Sequence, residues 1–369
     1  MVLLIAGGSG GHIFPAIALA QRLKDLSYEV YLLTDQRGER FITQDVSLFD
    51  HVEVLENFSF SSGHNKFYLK PIALCFQIWL WIQQTRKFFQ LYSNSAQAFF
   101  SFGGLMSVIP MALGWFFYKY DGKKIKFFAL HQSDRVLGRA NRFLAKWIGI
   151  PVVFTGYPET LKVPKTVSVI PVGTPVRKEF FKIPDIKFEN GPLGILILGG
   201  SQSASFWSKV FLNALELLDE SHRQAFCIFH QCPEKDLSYV QERYNQLNVS
   251  CDVRSFFLSL PEILKQVHVV FSRCGASSAA ELACCGRGGF FVPYPYAKDQ
   301  HQDYNAAFWV SQEAGWSCPQ SELNEEKIAF FLQESLEHPQ RLLYTGARAK
   351  NFGRKDAAMA MIQYWQNEF

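Results

Sequence analysis

The stretch Val2-Leu3-Leu4-Ile5-Ala6-Gly7-Gly8-Ser9-Gly10-Gly11-His12-Ile13-Phe14-Pro15 decides the fold. Val2 to Ile5 is an apolar run of strand length, and the glycines after it turn the chain. The apolar-periodic segment Pro15 to Leu23 predicts a helix, and Glu29 to Thr34 predicts the next strand. Strand, glycine turn, helix and strand make a βαβ unit, which requires a parallel sheet. The pattern returns at Gly194-Ile195-Leu196-Ile197-Leu198. There Gly199-Gly200-Ser201-Gln202-Ser203 leads into a predicted helix from Phe206 to Leu218 and a strand from Ala225 to Phe229. Further strands are predicted at Lys126 to Leu130, Val152 to Thr155, His268 to Ser272 and Gly289 to Val292. The expected class is α/β, with two Rossmann-like, doubly wound parallel-sheet domains facing a cleft. The first sheet runs out near Gly173-Thr174-Pro175, and Lys182 to Pro192 reads as the loop before the second.

A chain of 369 residues suits two domains. Hydrophobic residues at 48% against 19% charged exclude disorder as the main state. A net charge of +4 without any Lys/Arg block argues against a nucleic-acid partner. Aromatic residues, 15% of the chain, are enough either to fill cores or to leave some for an apolar partner. The eight cysteines form no C-x-x-C pair, so they read as reduced thiols and not as a zinc site. The N-terminus has no basic region ahead of its short apolar run, so no signal peptide is expected. Ala98 to Tyr118 carries no charge and approaches the ~20 residues of a spanning helix. Gly103-Gly104 and Pro110 interrupt it, which predicts a buried strand, a glycine turn and an apolar helix instead.

Three clusters carry candidate chemistry. At Gly7 to His12, glycines let backbone N–H groups approach an anion or a sugar at a helix start. The bland alternative is a tight βα turn. A dinucleotide fingerprint fits poorly, because Ile13 stands where its third glycine belongs. Asp35, closing the second strand as a ribose-binding acid would, keeps a nicotinamide enzyme open. His12 either abstracts a proton near neutral pH or braces the turn. In the second cluster, Ser272-Arg273-Cys274-Gly275-Ala276-Ser277-Ser278-Ala279-Ala280-Glu281, small residues at a helix start admit phosphate oxygens. Glu281 either complements the helix dipole or accepts hydrogen bonds from a ribose diol. The third cluster, Asp299-Gln300-His301-Gln302-Asp303-Tyr304-Asn305, crowds polar groups at a sheet's carboxyl edge, where such folds bind ligands.

Taken in order, these motifs, together with Gly103-Gly104, His131-Gln132-Ser133-Asp134 and Thr174-Pro175-Val176-Arg177, resemble the MurG-type transferases. The likeness runs over nearly the whole chain. It implies a GT-B fold, with residues 1–174 plus 352–369 as an acceptor- and membrane-facing domain whose last helix crosses back. Residues 175–351 would bind UDP-N-acetylglucosamine. It also implies roles. His12 would be the base, with Ser9, Gly10 and Gly11 near the sugar and Gly103 and Gly104 on the acceptor side. Asp134 and Arg177 would meet the donor. Ser201 and Ala276, Ser277, Ser278, Ala279 and Ala280 would hold phosphates. Glu281 would hold the ribose, Phe257 would lie beside the uracil and Gln302 would bind the sugar. The sequence departs from the family at Asp134, where Asn is common and a carboxylate repels a diphosphate. Ser203, Thr174 and Arg287-Gly288 are further departures.

The implied reaction is an inverting displacement in peptidoglycan synthesis. The 4-hydroxyl of the N-acetylmuramoyl-pentapeptide of lipid I attacks the anomeric carbon, UDP leaves, and lipid II forms. No Asp-x-Asp occurs, so neither metal nor cofactor is expected; Arg177 and the helix after Gly275 would stabilise the leaving UDP. A lipid-linked acceptor without a spanning helix places the chain peripherally at a membrane surface, the cytoplasmic face of the bacterial inner membrane. Lys66 to Phe89, with Phe76, Trp79 and Trp81 between basic flanks, is either the interfacial segment or a core helix. Two other readings stay open: a different UDP-sugar enzyme, such as an epimerase or glycolipid transferase, and a non-catalytic UDP-sugar-binding protein.

Overall fold

A computed structural model describes residues 1–43, 45–56, 66–92, 95–120, 127–188 and 191–368, with backbone alone at 66–74, 118–120 and 200–204. It divides into two units, Met1–Arg177 with Arg354–Phe369, and Lys178–Gly353. Arg177, expected in the donor-side domain, therefore groups with the first unit.

The first unit holds a parallel sheet of β1 (Val2–Ile5), β2 (Val30–Asp35), β3 (His51–Leu55), β4 (Ala98–Ser101), β5 (Phe127–Gln132), β6 (Val152–Thr155) and β7 (Val169–Pro171). Their spatial order is β3-β2-β1-β4-β5-β6-β7. The order reverses between β1 and β4, and the crevice at the carboxyl ends of that strand pair is the natural ligand position. Fully buried strands such as Ala98-Phe99-Phe100-Ser101 are apolar on both faces because helices cover both. The uncharged stretch resolves as expected into β4, the Gly103-Gly104 turn and the Val108–Tyr120 helix. No helix among the described residues is long and apolar enough to cross a membrane. The final helix, Ala357–Glu368, packs Trp365 against Tyr28 and Tyr364 against Phe154.

The second unit repeats the plan with β8 (Leu193–Leu198), β9 (Phe226–Gln231), β10 (Ser250–Arg254), β11 (Val269–Ser272), β12 (Gly288–Phe291) and β13 (Gly315–Ser317), in the order β10-β9-β8-β11-β12-β13. Its switch point lies between β8 and β11. Trp207, Phe211 and Phe271 centre its core, all fully buried. Arg287 is buried too, and donates to the carbonyls of Val267, Pro184, Cys285 and Leu264. A guanidinium has donors enough to satisfy four carbonyls, which explains how Arg287 is accommodated in a buried position.

Candidate active site

The glycine turn after β1 sits at the first switch point. Gly8 has φ of 82°, the left-handed region glycine tolerates best. Its N–H donates to Asp35 Oδ1 at 2.8 Å, and the Gly38 N–H donates to the same oxygen at 2.8 Å. Asp35 is fully buried. Its carboxylate is thus occupied with bracing two loops and is out of reach of a ribose, which removes the nicotinamide reading. The helix begins at Gly10, earlier than Pro15, so His12 lies in its first turn.

His12 is half-buried, and its Nδ1 lies 2.9 Å from the carbonyl oxygen of Gly7. A carbonyl only accepts, so Nδ1 carries the proton. In the neutral ring Nε2 is then a bare acceptor, the form a general base needs. Gly103 and Gly104, with φ of 90° and 87°, pass directly beside this ring. A Cβ on Gly104 would stand 3.3 Å from His12 Nδ1, and one on Gly103 would stand 3.6 Å from Nε2. Glycine at both positions leaves the ring uncovered. Ser9 Oγ reaches Nδ1 only at 3.5 Å.

Two neighbours complete this site. The first is Arg177, whose guanidinium stacks 4.5 Å from the centre of the Phe14 ring. Phe14 in turn fills the space a side chain on Gly10 would need, 2.8 Å from its Cβ position. Arg177 therefore stands beside the first glycine turn. The second is the carboxyl end of β5. His131 Nε2 donates to the Gly173 carbonyl at 3.0 Å, and burial pushes its pKa down to about 4, so it stays neutral. Asn141 Nδ2 donates to the His131 carbonyl at 3.0 Å and to Gln132 Oε1 at 3.1 Å. Gln132 Oε1 also takes the Gly138 N–H at 2.8 Å. Asp134 is half-buried just beyond. Asn141 was not among the residues singled out from sequence; it lies in a basic and apolar stretch with no motif around it.

At the second switch point, the helix Ala276–Cys285 starts after Gly275. Ala276, Ser277, Ala279 and Glu281 are buried, while Ser278 and Ala280 are partly exposed. Ser277 and Glu281 share one face at i, i+4. Below the turn, Arg273 donates to the carbonyls of Val292 and Pro293 at 2.9 and 3.0 Å and to Gln320 Oε1 at 2.6 Å. Arg273 thus ties the β11 turn to the β12 turn. The third cluster reads differently from expectation. Gln302 Oε1 accepts the Tyr294 N–H at 2.9 Å, and buried Asn305 donates to the Cys274 carbonyl at 3.0 Å. Both brace the turns. Phe257 is buried, with Phe256 and Leu258 exposed on either side. The Ser201 side chain lies outside the described residues.

The membrane expectation divides by face. In the helix Lys66–Tyr92, Phe76 and Trp79 are 43% and 53% exposed, with ring centres 5.5 Å apart. Trp81 is only 8% exposed, and its indole N–H donates to the Glu56 carbonyl at 3.0 Å. The expectation that Trp81 faces a membrane is corrected: with Thr85, Phe88 and Phe89 it lies on the buried face, at helical spacing.

Comparison with known proteins matches residues 2–148 to the glycosyltransferase family 28 N-terminal domain and 194–361 to the family 28 C-terminal domain. A Paramagnetospirillum magneticum protein is 34% identical over 98% of this chain and 95% of its own length. It is named UDP-N-acetylglucosamine–N-acetylmuramyl-(pentapeptide) pyrophosphoryl-undecaprenol N-acetylglucosamine transferase. A Brucella anthropi protein of the same name is 34% identical over 97% of the chain and 92% of its own. The chain belongs to the MurG-type glycosyltransferases. The crystal structure of Acinetobacter baumannii MurG superposes with a TM-score of 0.73 at 22% identity, covering 99% of both chains. The MurG-type chain accordingly has the GT-B fold, each unit contributing one parallel-sheet α/β domain.

Proposed function

We infer that this chain transfers N-acetylglucosamine from UDP-N-acetylglucosamine to the 4-hydroxyl of the N-acetylmuramoyl-pentapeptide of lipid I, giving lipid II with inversion at the anomeric carbon. The observation that carries the reaction is near-full-length kinship with transferases of that name. The mechanism rests on His12. Its Nε2 takes the acceptor proton as the 4-hydroxyl oxygen bonds to the anomeric carbon and the bond to UDP breaks. Arg177 and the helix after Gly275 meet the charge that develops on the diphosphate. Glu281 binds the ribose diol, Gln302 the sugar, and the small residues Ala276 to Ala280 admit the phosphates. Gly103 and Gly104 give the acceptor room at His12.

The chain is a peripheral protein of the cytoplasmic face of the bacterial inner membrane, in this reading. The exposed Phe76 and Trp79 support it, as does an acceptor that is itself lipid-linked. The test is incubation with labelled UDP-N-acetylglucosamine and a short-chain lipid I analogue. A β-linked disaccharide on the lipid is expected. UDP release without transfer, or transfer only to a soluble sugar, would point to another UDP-sugar enzyme.

A further inference from the structure

Buried polar atoms without a partner are rare, and each asks for an explanation. Asn141 Oδ1 is one, in a side chain only 1% exposed. The amide cannot be turned round to cure this, because the His131 carbonyl needs a donor and Nδ2 supplies it. The Asn141 amide lies beside Gly103. A Cβ at Gly103 would stand 3.5 Å from Asn141 Nδ2, 3.7 Å from Asn141 Oδ1 and 3.6 Å from His12 Nε2. Asn141 and the bare nitrogen of His12 therefore flank the same side-chain-free point. Once Nε2 bears a proton it becomes a donor, and Asn141 Oδ1 is a buried acceptor without a partner beside the same glycine.

We propose that Asn141 is a positioning residue whose Oδ1 receives the Nε2–H of His12 after His12 has taken the acceptor proton. The proposal rests on His12 as the base. In the step, the hydroxyl proton passes to Nε2 and the hydroxyl oxygen bonds to the anomeric carbon. The pair from the broken C–O bond leaves on UDP. Asn141 exchanges nothing; it stabilises the imidazolium that results, as a charge-assisted acceptor. The ionisable groups around the His12 turn are His131 on β5, the Asp35–Arg37 pair at Gly8 and Arg177 against Phe14. His131 is neutral in the working range, so the product imidazolium meets no second histidine charge.

The test compares Asn141→Ala with Asn141→Asp in the full-length enzyme. Both variants lose the Nδ2 donor, but only Asp keeps an acceptor oxygen. Asn141→Ala is expected to lower kcat about tenfold, with the KM for UDP-N-acetylglucosamine within about twofold of wild type. The His12 titration, followed by NMR on histidine-labelled protein, should move to lower pH in Asn141→Ala and to higher pH in Asn141→Asp. Asn141→Asp should also be faster than Asn141→Ala. If Ala does not fold, Asn141→Leu takes its place. A folded Asn141→Ala in which His12 titrates as in wild type overturns the proposal, as does Asn141→Asp no faster than Asn141→Ala. Wild-type kcat in His12→Gln would instead overturn the base assignment beneath it.

Discussion

His12 Nδ1 lies 2.9 Å from the carbonyl oxygen of Gly7, five residues back in the same turn. One hydrogen bond does two things. It fixes the ring against the glycine loop, and it places the proton on Nδ1, leaving Nε2 to accept. A histidine that merely braces a turn would need only the first. The second matters here because glycines at 103 and 104 leave the ring uncovered.

Asp35 should prove structural. Replacing it with Ala strands the part-buried Gly8 N–H and the buried Gly38 N–H, at a cost of about 3 kcal/mol for two charge-assisted bonds. Chemical denaturation should show this loss, and wild-type protein should bind no nicotinamide dinucleotide in calorimetry.

Glu281→Ala should weaken UDP binding by roughly 1.5–3 kcal/mol, about 10- to 100-fold, through lost charge-assisted bonds to the ribose. Calorimetry with UDP checks it on protein whose circular dichroism is unchanged. Full affinity in the variant would leave Glu281 a purely internal residue.

The two faces of the Lys66–Tyr92 helix should respond differently. Phe76→Ser with Trp79→Ser removes exposed apolar surface and should lower co-sedimentation with anionic vesicles at little cost in stability. Trp81→Ser empties a buried site and should cost about 3–5 kcal/mol in stability.

Stability should fall on mild acidification. Burial lowers the pKa of His131 to about 4 and that of His230 to about 3, both below the ordinary 6.5. Such groups favour the folded state fully above about pH 6.5, and that contribution drains away as pH falls toward 4 and 3. For His131 alone the swing is roughly 3 kcal/mol. Melting temperature against pH measures it, and His230→Gln should flatten part of the slope.

How far the sequence reveals this fold depends on position in the sheet. Every interior strand has an apolar run that marks it: β1 and β6 begin and end where the sequence places them, and the others shift by one or two residues. The strands that sequence reading missed are β3, β7, β10 and β13, the edges of the two sheets. They are only partly buried, as in Ser250-Cys251-Asp252-Val253-Arg254, so they lack the continuous apolar signal of a strand covered on both faces. The site shows the same divide. Glycine turns and His12 are legible because backbone freedom and titration leave a mark on residue type. Asn141 and the inward turn of Trp81 are not, because both depend on which face of a helix meets the core. Arg287 reads as an anomaly until its four carbonyl partners are seen.

The most direct measurement is kcat for His12→Gln with the lipid I analogue, taken across neutral pH. Glutamine keeps a hydrogen-bonding side chain beside Gly7 but cannot take a proton. Loss of a general base should lower kcat about 10²–10⁴-fold while UDP affinity stays unchanged. A His12→Gln enzyme with near wild-type kcat from pH 6 to 8, roughly the range in which an ordinary histidine titrates, would contradict His12 as the base.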